Sequence, residues 1–147
     1  MKIEINVSDV ENFKEAFKSM CDRTLTRWGM AAEGYAKEEL SKPKLHADGQ
    51  MRPTVDTGNL RNSISHRVDE AEQAVYIGTN NEYATYVELG TGKYVQGGRP
   101  DPWFYQDDNG NWHHTNGQRA QPYLKPAITE HKKTYENILE DELKSLF

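Results

Sequence analysis

Several residue groupings in this chain have the composition that chemistry needs, and each falls short on spacing or setting. Glu88-Leu89-Gly90-Thr91-Gly92-Lys93-Tyr94 has the outline of a phosphate loop. Such a loop needs a glycine five residues before its Gly-Lys pair and a serine or threonine after it. Val87 and Tyr94 stand there instead, so both the backbone nest and the magnesium hydroxyl are missing. His113 and His114 are adjacent, and in a strand adjacent side chains point to opposite faces. With His46, His66 and His131 they offer no pair at helical ligand spacing, and the expectation is no metal site. Asp107-Asp108 and Glu140-Asp141-Glu142 would do acid–base work only in a cleft that shifts their pKa values. One pair falls at a predicted turn and the other on a predicted C-terminal helix, where a solvated surface is the simpler reading. No serine sits in a Gly-x-Ser-x-Gly elbow. Cys21 is the only cysteine, which excludes an internal disulfide and a cysteine-based zinc site; it reads as a small apolar helix residue. No catalytic residue, cofactor or metal is expected.

The elements that would position these groups follow from periodicity. Ser8-Asp9-Val10-Glu11 has the form of a capping box and predicts a helix start. Val10, Phe13, Phe17, Met20, Thr24, Trp28, Ala31 and Tyr35 then recur in steps of three and four, an amphipathic stripe that should end before Pro43. A helix of that length would run roughly 45–50 Å, longer than a compact domain of this size is wide. Either Gly29 or Gly34 bends it, or one end projects. The stripe is ordinary core packing or a surface for a partner helix. The stretch 41–54 has two prolines and no periodicity, and reads as a loop. Asp56 or Thr57 is placed to cap a short turn at Gly58-Asn59-Leu60-Arg61. Alternation from Ser63 to Val68 and the branched run 74–79 predict two strands joined by Asp69-Glu70-Ala71-Glu72. Asn81 can open a short helix carrying Tyr83, Ala84 and Val87, closed by Gly90.

Residues 93–120 read as an excursion. Trp103-Phe104-Tyr105 and Trp112-His113-His114 flank Asp107-Asp108-Asn109-Gly110, a β-hairpin signal. Its aromatics are either an interface, since tryptophan and tyrosine are enriched at hot spots, or a satellite core folded back on the sheet. A stacking platform for single-stranded nucleic acid ranks below both, because only Arg99 and Arg119 flank it. Leu124, Ile128, His131, Tyr135, Ile138 and Glu142 trace one further helix, entered through Pro126. The fold class is α+β: a small antiparallel sheet packed by two long amphipathic helices, N- and C-terminal, with an aromatic β-hairpin insertion.

The 147 residues suit one domain, 1–147, large enough to bury about 70% of its unfolded surface. A net charge of −5 gives no basic footprint for sequence-specific nucleic-acid binding. The first residues lack the apolar core of a signal peptide, and no run approaches the ~20 residues of a membrane span, so synthesis and folding in a cytoplasm, away from membrane, are expected.

Three phrases remain: Val55-Asp56-Thr57-Gly58-Asn59-Leu60-Arg61-Asn62-Ser63-Ile64; then Val75 to Ala84 and Tyr86-Val87-Glu88-Leu89-Gly90-Thr91-Gly92; then Gln121-Pro122-Tyr123-Leu124-Lys125-Pro126-Ala127-Ile128. In order and wording they resemble the tail-component family of tailed bacteriophages typified by the HK-ninety-seven gene-ten product. The resemblance implies a structural assembly protein that acts at the head–tail junction or in tail completion, built in the host cytoplasm and carried in the virion. It also implies a homo-oligomer, a ring among the forms open to it, bound to connector, stopper or tail-terminator proteins. The alternative is a small nucleic-acid-binding or enzymatic protein of a mobile element. Candidate interface residues are Phe13, Phe17, Trp28, Trp103, Phe104, Tyr105 and Trp112. Arg61 and Glu88 form a candidate structural ion pair, because a carboxylate in the last turn of a helix opposes the dipole and needs compensation. Lys125 is the second candidate partner for Glu88, and solvent exposure the third outcome.

Overall fold

The computed structural model describes residues 1–4, 6–54 and 58–147. Helix α1 spans Val7–Ser41 without interruption, 35 residues or about 52 Å. Its cap is a correction to the Ser8–Glu11 box. Asn6 Oδ1 accepts from the Asp9 amide at 3.0 Å, and Asp9 returns a carboxylate to the Asn6 amide at 3.2 Å. Ser8 lies inside the first turn and points its hydroxyl at Asn6. An Asn side-chain carbonyl caps as well as a serine hydroxyl, and the shorter Asp reaches back as Glu would have. The helix stops where Lys42, preceding Pro43, turns extended.

Neither glycine interrupts α1, and its N-terminal end projects. Every residue from 7 to 19 is exposed, and burial begins abruptly at Met20, 2% exposed. From there α1 is the spine of the molecule. Ala36 and Leu40 meet Leu60, Ile64, Ala84, Val87, Tyr123 and Ala127 in the main core.

The described residues form three antiparallel hairpins, each a separate two-stranded sheet rather than a single one. The first pairs β1 (Pro43–Leu45) with β2 (Met51–Pro53), within the stretch expected to be a loop. The structure corrects that expectation through tertiary contacts. Thr54 N–H donates to the Leu40 carbonyl at 3.1 Å, Gln121 Nε2 to the Leu45 carbonyl at 2.9 Å, and Lys44 Nζ to the Pro122 carbonyl. The two prolines face each other at the hairpin's open end, where a missing N–H does least damage. Next comes helix α2 (Asn59–Ser63), entered through Gly58 at φ 80°. The expected caps Asp56 and Thr57 lie outside the described residues.

The second hairpin, β3 (Ser65–Asp69) with β4 (Ala74–Gly78), is the sheet predicted from alternation, with His66 opposite Ile77 and Val68 opposite Val75. It packs against α1. Helix α3 (Ala84–Leu89) follows; its cap residue is Tyr83, with no side-chain cap bond, and the expected cap Asn81 instead fixes the turn before it, its side chain and carbonyl accepting from Tyr83 and Ala84. The third hairpin is β5 (Trp103–Gln106) with β6 (Trp112–Thr115), turning through Asp107 to Asn111. The predicted C-terminal helix is two: α4 (Leu124–Thr129) and α5 (Lys132–Lys144), separated at Glu130 and His131. Both pack on α1, and the whole is α+β as the sequence predicts.

Candidate functional site

The motif phrases interlock. Val87 and Glu88, in the last turns of α3, both reach the strand of chain entering α4. The Val87 carbonyl accepts from the Gln121 amide at 2.7 Å. Glu88 Oε2 accepts from the amides of Tyr123 at 2.7 Å and Leu124 at 3.0 Å, and Oε1 from that of Lys125 at 3.0 Å. One carboxylate thus serves the unpaired N–H groups of a helix N-terminus, where negative charge is favoured. The Gly90-Thr91-Gly92 stretch then pairs with 116–118. The Thr91 amide donates to Gln118 at 2.8 Å, and the Gln118 amide returns to Thr91 Oγ1 at 2.9 Å. A Cβ on Gly90 would sit 2.8 Å from the Ala120 nitrogen, and one on Gly92 2.8 Å from the Gly117 Cα. The glycines that resemble a phosphate loop are there because two backbones cross.

The Arg61–Glu88 ion pair is therefore corrected within the chain. Among the described residues Glu88 makes no salt bridge, and its charge is met by backbone amides of the third motif piece instead. Lys125 is a partner, through its backbone N–H and not its ammonium. Arg61 is exposed on α2.

The candidate interface residues fall into different settings. Phe13 and Phe17 stand on the projecting part of α1, 54% and 45% exposed, with rings stacked at 6.3 Å. Trp28, on the same stripe, is half-buried: its Nε1 donates to the Tyr135 carbonyl at 2.9 Å and its ring meets Tyr135 edge-on. On the third hairpin Phe104 and Trp112 are 69% and 70% exposed. Tyr105 is exposed and stacks on His113, while Trp103 is half-buried beneath Arg99. The register puts Phe104, His114, Gln106 and Trp112 on one face of this hairpin. Asp107 fixes its turn, accepting from the Asn109 and Asn111 amides and from His113 Nε2 at 2.8 Å; that last bond foremost holds its pKa down to about 2.

Two surfaces escape the sequence reading. Tyr83, Tyr86 and Leu89 form an exposed row along α3; their spacing of three inside the motif was the available signal. The other is an apolar groove of about 240 Å³ lined by Trp28, Gly29, Ala32, Val75, Ile77, Ile128 and Tyr135. It opens where β4 and the α4–α5 pair both pack against α1, so no local pattern announces it.

Charge is used to fasten elements. Glu142, buried on α5, accepts from Arg23 Nε at 2.8 Å and Arg27 Nη1 at 3.0 Å, and these bonds hold its pKa below the ordinary value. Glu39 is buried between Lys42 and Lys44; burial opposes its charge, but the two ammoniums prevail and lower its pKa. His66 Nδ1 meets Glu33 Oε2 at 2.7 Å beside Lys37. Among the described residues no group of three or more His, Cys, Asp or Glu side chains is arranged to hold a metal ion. No helix among them is long and apolar enough to cross a membrane.

A family model described as "Bacteriophage HK97-gp10, putative tail-component" matches residues 7–90, and the chain belongs to this family. None of the curated proteins and none of the solved structures gives a match.

Proposed function

We propose that this protein is a structural, non-catalytic component of a tailed phage or prophage that acts at the head–tail junction or in tail completion. In this reading residues 1–147 work as one domain, and copies associate with one another, in a ring or another closed form, and with connector, stopper or tail-terminator proteins. The protein is made in the bacterial cytoplasm and ends in the virion. The observation that carries the reading is the uncovered front of α1, residues 7–19, where Phe13 and Phe17 face solvent. Stacked aromatic rings left in water are apolar area that association would bury. The net charge of −5 and the aspartates of the third hairpin argue against nucleic acid as the cover.

Deleting the gene from the phage or prophage that encodes it tests the proposal. Lysates should then contain filled heads and tails that fail to join, or tails of abnormal end structure, by electron microscopy. Complementation with the intact gene should restore particles, and complementation with Phe13→Ser/Phe17→Ser should not. Infectious particles at normal yield without the protein would refute the role.

A further inference from the structure

We propose that the Phe13–Phe17 front of one copy seats in the apolar groove over Gly29 and Ala32 of another copy, joining subunits front to groove. The inference rests on the self-association proposed above and names its contact. Each surface supplies what the other lacks. The front is a convex, stacked pair of aromatic rings, and the groove is concave and apolar, walled by Val75 and Ile77 on one side and Ile128 and Tyr135 on the other. An apolar cavity of roughly 150 Å³ holds benzene, so a groove of about 240 Å³ has room for a phenylalanine ring.

The two surfaces cannot meet within one chain. Both lie on the same unbroken helix, and Phe17 is about 16 Å along its axis from Trp28. A slot between a helix and a strand also suits a helix, in the manner of amphipathic segments laid into apolar grooves. The aromatic face of the β5–β6 hairpin is the other exposed candidate. It has less need of cover, because its own cross-strand pairs and the Asp107 turn support it, whereas every residue from 7 to 19 is exposed.

Front and groove are different patches, so the contact is heterologous and generates rings or filaments according to its rotation. Two rings bury on the order of a few hundred Å². A stable pair needs about 1,200–2,000 Å². A single contact is therefore weak, and copies hold together when each uses both its surfaces, which favours closure.

Light scattering on three proteins decides this: wild type, Phe13→Ser/Phe17→Ser, and Ile128→Glu, whose site on the groove rim is 52% exposed. Circular dichroism verifies that each is folded. Wild type should rise in mass with concentration, and each variant alone should fall to one chain, 16.9 kDa. An equimolar mixture of the two variants, at millimolar concentration, should form a one-to-one pair and nothing larger, since it holds one intact front and one intact groove. Independently, Ala16→Cys and Ile128→Cys chains, each with Cys21→Ser, should give a mixed disulfide under mild oxidation. An Ile128→Glu protein as large as wild type would mean that fronts pair with fronts, or that this groove is unused. A front variant as large as wild type would mean that another surface, such as the hairpin, does the joining. Either result overturns the inference while self-association stands, as does a mixture that stays monomeric without the disulfide. A wild type that is monomeric at millimolar concentration overturns both.

Discussion

Glu88 shows how a residue chosen correctly can be assigned the wrong partner. A carboxylate in the last turn of α3 does need compensation, and the compensation comes from the amides that open α4. Sequence reasoning looks for side chains of opposite charge; backbone N–H groups have no signature until the fold brings a helix start alongside. Glu88→Gln should lower stability by about 1–3 kcal/mol, measured by thermal or urea unfolding, because hydrogen bonds to a charged acceptor outweigh those to an amide. A double-mutant cycle with Arg61→Gln should be additive within a few tenths of a kcal/mol. Glu142 carries a pH prediction. Its pKa is lowered in the folded state by the bonds from Arg23 and Arg27, so its contribution is full above the unfolded value of 4.5 and is lost as pH falls through the folded one. Glu142→Gln should therefore be less stable than wild type at neutral pH, and the gap should close as the two are unfolded at progressively lower pH below 4.5. An unchanging gap would mean that the carboxylate's charge contributes nothing.

Elements with strong local patterns were legible. The stripe pointed to α1, alternation to β3, the branched run 74–79 to β4, and paired aromatic runs around Asn109-Gly110 to β5–β6. The β1–β2 hairpin was not, because Lys44, Thr54 and Gln121 fix it through partners distant in sequence. The break between α4 and α5 was hidden for a related reason. Apolar spacing runs on through it, and the turn is set by His131 stacking on Tyr35 at 3.4 Å while Tyr35 donates to Thr134 Oγ1. The two glycines of α1 make a paired prediction. A Cβ on Gly29 would lie 2.8 Å from His66 Cγ, closer still to the Cδ2 of that ring, and 2.9 Å from Val75, whereas one on Gly34 meets open space. Gly34→Ala should stabilise by about 0.5–1 kcal/mol through helix propensity. Gly29→Ala should destabilise by about 1–3 kcal/mol, because overpacking against β3–β4 outweighs that gain. Equal effects in unfolding experiments would show that β3–β4 yields freely. Hydrogen exchange should be faster across 103–106 and 112–115 than across 74–78, since the third hairpin has cross-strand bonds but little cover, whereas β4 lies on α1. Equal protection would make the third hairpin part of the core.

At the scale of the whole molecule, fold class and family were readable from the chain, and the surfaces that matter only partly so. Phe13 and Phe17 were visible as a stripe longer than one domain can cover. The groove was invisible, being a gap left between elements rather than a property of any one of them. Association through these surfaces should strengthen in ammonium sulfate, which favours apolar burial, and change little with moderate sodium chloride, which screens charge. Scattering mass against concentration in the two salts measures it, and dissociation by sodium chloride would point to an electrostatic interface.

The crossing of two stems at Gly92 and Gly117 has a consequence for how such a protein can change. The chain leaves the body at Thr91 and returns at Gln118 with these two residues bonded to each other. The body is thus closed before the third hairpin begins. Rewriting the length or lettering of that segment should therefore leave Glu88, Gln121 and the core beneath them in place, as a cassette would, and a chain with residues 99–115 replaced by a short glycine-serine link should unfold at nearly the wild-type temperature.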